Sequence, residues 1–208
     1  MYGKWTNWLL CWIKRLRNAF LTKPMKTIYI NYFDEISANK ARAFMNACTH
    51  LLGTTPAPDR FYFLFSSSGG NVEAGVALYN FLRALPIKLA FHNIGSADSI
   101  ATVVFLAGEE RYANSHATFM IHGVTWTLNS VFDGEALGQL NSVAVHTDNK
   151  IVDIISDRTT LTEAEIRALF TQGETKDAAF ALQKGIIQQV SQAIIPKNET
   201  LISFNFPA

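Results

Sequence analysis

Four separated points of the chain carry groups that could act together on a carbonyl: Gly69-Gly70, Ser99, His122 and a loop holding Glu174 and Asp177. A serine hydroxyl is a weak nucleophile until a base stands within hydrogen-bond reach. Histidine suits that task because its proton affinity lies near neutral pH. A carboxylate that holds the imidazole tautomer would complete a triad. Adjacent glycines permit close backbone approach, and the N–H groups of Gly70 and Ile100 could receive a developing oxyanion. The chemistry would be acyl transfer. Each residue also has a plain structural reading. Ser99 could cap a helix, His122 could be a satisfied strand-end histidine, and Gly69-Gly70 could be only a turn.

Those residues need elements to carry them to one place. Residues 60–65 form a short, nearly continuous apolar run, as a buried parallel strand requires, and Gly69-Gly70 follows it. Residues 71–85 read as a helix ended by Pro86. The apolar run 87–94 leads through Gly95-Ser-Ala-Asp98 to Ser99, where a second apolar, helix-like run begins. Residues 117–123 read as a further strand with His122 at its carboxyl end. Strand carboxyl ends on one edge of a parallel sheet are where ligands bind in α/β folds. Around this frame the pattern predicts a strand over 26–33 and an amphipathic helix over 35–52. It predicts one long helix over about 131–158, with more apolar positions than a single narrow stripe needs. A helix opening at Thr162 has Glu165 at capping-box spacing. A loop over 172–177, a short helix over 177–184 and a strand over 186–190 follow.

Composition divides the chain more than its sum suggests. The net charge is +1, which gives no global cue to a nucleic-acid partner. Six basic residues precede the first acidic one, Asp34, and the remainder carries 12 basic and 17 acidic residues. Residues 1–26 are therefore a basic segment with three of the four tryptophans, at Trp5, Trp8 and Trp12. Its helical spacing suits an interfacial helix or a docking segment, so contact with a membrane surface or with the protein's own body are both open. A secretory signal is not expected, since no small-residue cleavage site follows. Two cysteines make no disulfide framework, no His cluster offers a metal site, and a cytoplasmic setting is expected. The divisions read from the sequence are the segment 1–26, a domain over 27–195 and a peripheral tail over 196–208.

Three ordered motifs carry a family resemblance. Phe-Ser-Ser-Ser-Gly-Gly-Asn-Val-Glu-Ala-Gly75, Ile-Gly-Ser-Ala-Asp-Ser-Ile-Ala101 and Phe-Met-Ile-His-Gly123 resemble the Clp protease proteolytic subunit, ClpP, from about Ile28 to Val190. The resemblance implies an α/β fold of the ClpP/crotonase type, a spiral of β-β-α units with an extended handle helix over 131–158. It implies a serine endopeptidase assembled as a homo-oligomeric ring, cleaving peptides or unfolded protein, with an AAA+ unfoldase as a separate partner. No cofactor or metal is implied. Ser99 takes the place of the nucleophile, His122 of the base, and Gly70 and Ile100 of the oxyanion hole. The family acid stands 12 residues before the glycine matched by Gly185, at Gly173; a one-residue deletion brings Glu174 there, and Asp177 is the second choice. The chain departs from the family at Ser67-Ser68, at Ala101 and at Asp98, where the family has alanine. Asp98 is expected to cap the helix after Ser99, the alternative being a charge in the cleft that opposes the oxyanion. Three rival functions share this architecture: a non-catalytic scaffold subunit, a crotonase-type acyl-CoA enzyme, and a relative of signal-peptide peptidase A with a Ser-Lys dyad.

Overall fold

The computed structural model describes residues 25–125 and 131–204. The basic segment, up to residue 24, and part of the loop after His122 lie outside the described residues.

The chain builds a mixed α/β domain around an eight-stranded sheet. In order, the elements are β1 (Thr27–Phe33), α1 (Ala38–Leu52), β2 (Arg60–Ser67), α2 (Val72–Ala84), β3 (Lys88–Asp98), α3 (Ile100–Phe105), β4 (Glu110–Ala113) and β5 (Thr118–Met120). These are followed by α4 (Gly134–Arg158), α5 (Glu163–Gln172), β6 (Thr175–Asp177), α6 (Ala178–Gln183), β7 (Gln189–Val190) and β8 (Thr200–Ser203). The sheet runs β6-β5-β3-β2-β1-β8, with β4 branching from β3 and β7 pairing with β4, and all pairs are parallel except β5–β6. This is the predicted architecture, with a long helix after the His122 strand.

The 11-residue β3 changes neighbours half-way along. Ala90 to Asn93 pair with β4, whereas Ser96 to Asp98 pair with β5. On its other side β3 pairs with β2, and the register slips between Phe65 and Ser67. Phe61, Phe63, Phe65, Phe91, Phe105 and Phe119 are all buried beneath these strands, and their rings touch in sequence. Each such ring buries well over a hundred Å2 of apolar surface, on the order of 150 Å2 or more. The Ser99 end of β3 is thus built on a rigid aromatic layer.

The helices begin where short polar side chains can accept orphan N–H groups. Asn71 accepts from Ala74, Asp133 from Ala136 and Ser37 from Lys40. The capping box of Thr162 and Glu165 forms in full. Several sequence expectations need correction. Residues 175–177 are not loop but strand, because they pair antiparallel with β5. The tail is not wholly peripheral, since Thr200–Ser203 adds an edge strand beside β1. Only Gln189 and Val190 of the strand expected over 186–190 join the sheet. Asp98 is no helix cap. It is the last residue of β3, opposite Met120.

Candidate active site

Ser99 occupies a sharp turn between β3 and α3. Its N–H donates to the Met120 carbonyl at 2.7 Å, carrying the β3–β5 ladder one step past the last paired residue. Its backbone then turns to φ 58°, ψ −131°, outside the regions that L-residues ordinarily occupy. Such a conformation costs about 1–3 kcal/mol and persists only where the surroundings enforce it. Here they do: the whole of α3, Ile100 to Phe105, is buried, and the Thr102 hydroxyl donates to the Ala97 carbonyl at 2.7 Å across the turn. Ser99 stands at the N-cap position, yet its side chain makes no capping hydrogen bond. The strand–turn–helix form is that of a nucleophile elbow, which thrusts a hydroxyl out of the sheet edge.

Gly69 and Gly70 pack directly behind this turn. A methyl group on Gly69 (φ +89°) would lie 2.7 Å from the Asp98 carbonyl oxygen and 2.8 Å from the Ser99 Cβ. The Ile36 N–H donates to the Gly69 carbonyl and the Asn71 N–H to the Ile36 carbonyl, both at 2.7 Å, so the Gly70 N–H takes no part in that bridge. Ile100 opens α3, and the first N–H of a helix has no intrahelical acceptor. Gly75 of α2 lets the two helices close up: its missing Cβ would sit 2.2 Å from the Ile100 Cγ1.

One cleft is lined by Gly70, Ser99, Ile100 and His122, with Val72, Ile121, Ile151 and Ile155 as apolar walls. The His122 Nδ1 lies 2.6 Å from the Gly123 carbonyl oxygen. A carbonyl can only accept, so Nδ1 is the donor, which in the neutral imidazole leaves the lone pair on Nε2. No hydrogen bond joins His122 to Ser99 among the described residues. Glu174 and Asp177 are occupied elsewhere. The Glu174 carboxylate meets the Lys176 ammonium at 2.6 Å, and Asp177 caps α6 by accepting from the Phe180 N–H at 2.8 Å.

Three segments in the matching order therefore meet at one sheet edge. The family model for Clp protease matches residues 17–193. The chain belongs to the Clp protease family. Curated relatives agree at low identity. The chain is 26% identical over 166 residues to the ATP-dependent Clp protease proteolytic subunit 1 of Gloeobacter violaceus, covering 76% of this chain and 80% of that protein. It is 27% identical over 143 residues to subunit 2 of Rhodococcus jostii, covering 67% and 72%. With the proteolytic subunit of Bdellovibrio bacteriovorus it shares 25% identity over 141 residues, 64% of each chain.

Asp98 ends β3 immediately before Ser99. Burial is the main influence on its carboxyl and raises its proton affinity above the ordinary aspartate value, against weaker opposing effects from a Ser96 hydrogen bond and the charge of His122. Its Oδ1 is buried with no hydrogen-bond partner. Sequence reasoning passed over a second carboxylate, Asp148 of α4, whose Oδ1 accepts from the Val124 N–H at 2.8 Å. No motif marked it, since it enters only through the packing of α4 beside the loop after His122. No helix among the described residues is long and apolar enough to cross a membrane.

Proposed function

We propose that this Clp protease family member is a serine endopeptidase that cleaves peptides or unfolded protein through an acyl-enzyme on Ser99. The observation that carries this reading is the shared cleft of Ser99, His122, Gly70 and Ile100. His122, with its lone pair on Nε2, takes the Ser99 proton as the hydroxyl oxygen attacks the scissile carbonyl. The imidazolium then gives that proton to the leaving amine, and water repeats the cycle to release the acid. The N–H groups of Gly70 and Ile100 receive the oxyanion, and losing one such donor costs about 3 kcal/mol in the barrier. Attack requires the Ser99 hydroxyl and His122 to draw within hydrogen-bond reach, a closure that apo sites commonly leave to substrate binding. Glu174, the acid that the family resemblance implies, would serve the imidazole only in a rearranged loop that frees it from Lys176. We assign the protein a homo-oligomeric ring, an AAA+ unfoldase as ATP-using partner and a cytoplasmic setting; the names of its relatives, proteolytic subunits of an ATP-dependent Clp protease, support the ATP-using partner.

Hydrolysis of a fluorogenic peptide by the wild type, abolished in Ser99→Ala, is the expected result, together with fluorophosphonate labelling of Ser99. Equal rates in both proteins would overturn the reading. The buried, unpartnered Asp98 oxygen beside the nucleophile favours one second reading, a non-catalytic scaffold subunit. Absence of both turnover and labelling in the folded, assembled protein would establish that alternative.

A further inference from the structure

We propose that Asp148 is the carboxylate that positions His122, acting through the peptide group between Gly123 and Val124. The inference rests on the reading of His122 as the base. Two hydrogen bonds meet on this one peptide unit. The Val124 N–H donates to Asp148 Oδ1 at 2.8 Å, and the Gly123 carbonyl accepts from His122 Nδ1 at 2.6 Å. A trans peptide directs its N–H and C=O to opposite sides, so the unit stands between the carboxylate and the imidazole. An anion at the N–H end polarises the amide and enriches the carbonyl oxygen in negative charge, which strengthens the bond that oxygen accepts. The acid-to-imidazole contact of a triad is thereby made with one amide interposed.

The surroundings favour this fixed arrangement. An atom placed at the missing Cβ of Gly123 would lie 3.4 Å from Asp148 Oδ2, 3.5 Å from Oδ1 and 3.5 Å from the Phe170 ring, so the turn is held between α4 and α5. Asp148 itself sits one residue from the buried Thr147 and one turn before Ile151 and Val152, on the part of α4 that packs on the core. The helix that carries the walls of the cleft, Ile151 and Ile155, therefore also carries this carboxylate.

The test compares Asp148→Asn and Asp148→Ala with Ser99→Ala, His122→Ala and Glu174→Gln in the full-length protein, reading peptide hydrolysis and fluorophosphonate labelling. Asparagine keeps an oxygen that can accept from Val124 but loses the charge; alanine loses both. Asp148→Ala is expected to lower kcat on the order of tenfold, the scale of lost outer-shell partners, with KM within about twofold. Asp148→Asn should recover part of that loss, and an unchanged thermal midpoint in the asparagine variant keeps the comparison interpretable if alanine disturbs folding. Wild-type kcat in both Asp148 variants, with Ser99→Ala and His122→Ala inactive, would overturn this inference alone. So would a loss confined to Glu174→Gln. Activity surviving in Ser99→Ala would instead remove the hydrolytic reading beneath it.

Discussion

Gly69 and Ser99 stand so close that a single methyl group on the glycine would fall 2.8 Å from the serine Cβ. The strand-end glycine and the elbow serine are thus one packing unit, although 30 positions separate them. Gly69→Ala should destabilise the domain by about 1–3 kcal/mol, as overpacking does, and the positive φ adds to the cost. Because the Ser99 turn is what must yield, fluorophosphonate labelling of Ser99 should slow at least on the order of tenfold. Thermal unfolding and labelling rate check the two halves of this prediction; a stable variant labelled at the wild-type rate would refute it.

Removing the charge of Asp98 should stabilise the fold. Its carboxyl, desolvated at the end of β3, binds a proton more readily than an ordinary aspartate near 3.8. The native state then holds more protons than the unfolded chain between that value and the raised one, so wild-type stability falls as pH rises through this window. Asp98→Asn should gain stability relative to wild type across the same window and keep a constant advantage above it. Chemical unfolding of both proteins at pH 3.5 and pH 7 would check this. An advantage no larger at pH 7 than at pH 3.5 would contradict it.

Glu165 has the opposite sign. The Lys184 ammonium at 2.6 Å, followed by the Thr162 N–H and hydroxyl of the capping box, holds its carboxyl down to about 2 against an ordinary 4.5. The contribution is complete above pH 4.5 and is lost as pH falls towards 2. Glu165→Gln should therefore be less stable than wild type at neutral pH and converge on it as pH falls through and below about 2. High salt should narrow the neutral-pH difference, since the pair is partly exposed.

Arg111 anchors the far side of the sheet. Its buried guanidinium donates to the carbonyls of Ile186, Gly108, Arg158 and Gly185 at 2.7 to 3.1 Å. Burial, followed by the charge of Arg158, lowers its proton affinity to about 10. Arg111→Met removes this donor from the Ile186, Arg158 and Gly185 carbonyls, while Gly108 keeps Arg158, and should cost about 3 kcal/mol or more. Arg111→Lys should restore less than half, because an ammonium lacks the planar fork. Urea midpoints of the three proteins measure this directly.

The sequence carried the site wherever a motif coincided with a strand end. Ser99, His122 and Gly70 fall in runs whose order and spacing resemble one family, and the structure brings them to a common cleft. Helix boundaries were legible where a cap chemistry wrote them, as at Thr162 and Asn71. What stayed hidden depended on distant pairing. Residues 175–177 look like loop because only their antiparallel partner β5 makes them strand. Asp98 looks like a helix cap because its neighbours in sequence are a serine and an apolar helix, whereas its register opposite Met120 fixes it in the sheet. Asp148 carries no local signature, being selected by a Val124 N–H that lies 24 positions upstream.

The split in β3 bears on how the molecule opens. Its entry half is clasped by a continuous run of β2 and by β4, whereas its exit half keeps one β2 partner, Ser67 opposite Ala97, and on the other side the three-residue β5, which β6 backs in turn. Local unfolding free energies follow such differences in support. Amides of β5 should exchange with solvent well before those of the Phe91 region, so the rim that bears Ser99 can breathe while the aromatic floor beneath it stays shut.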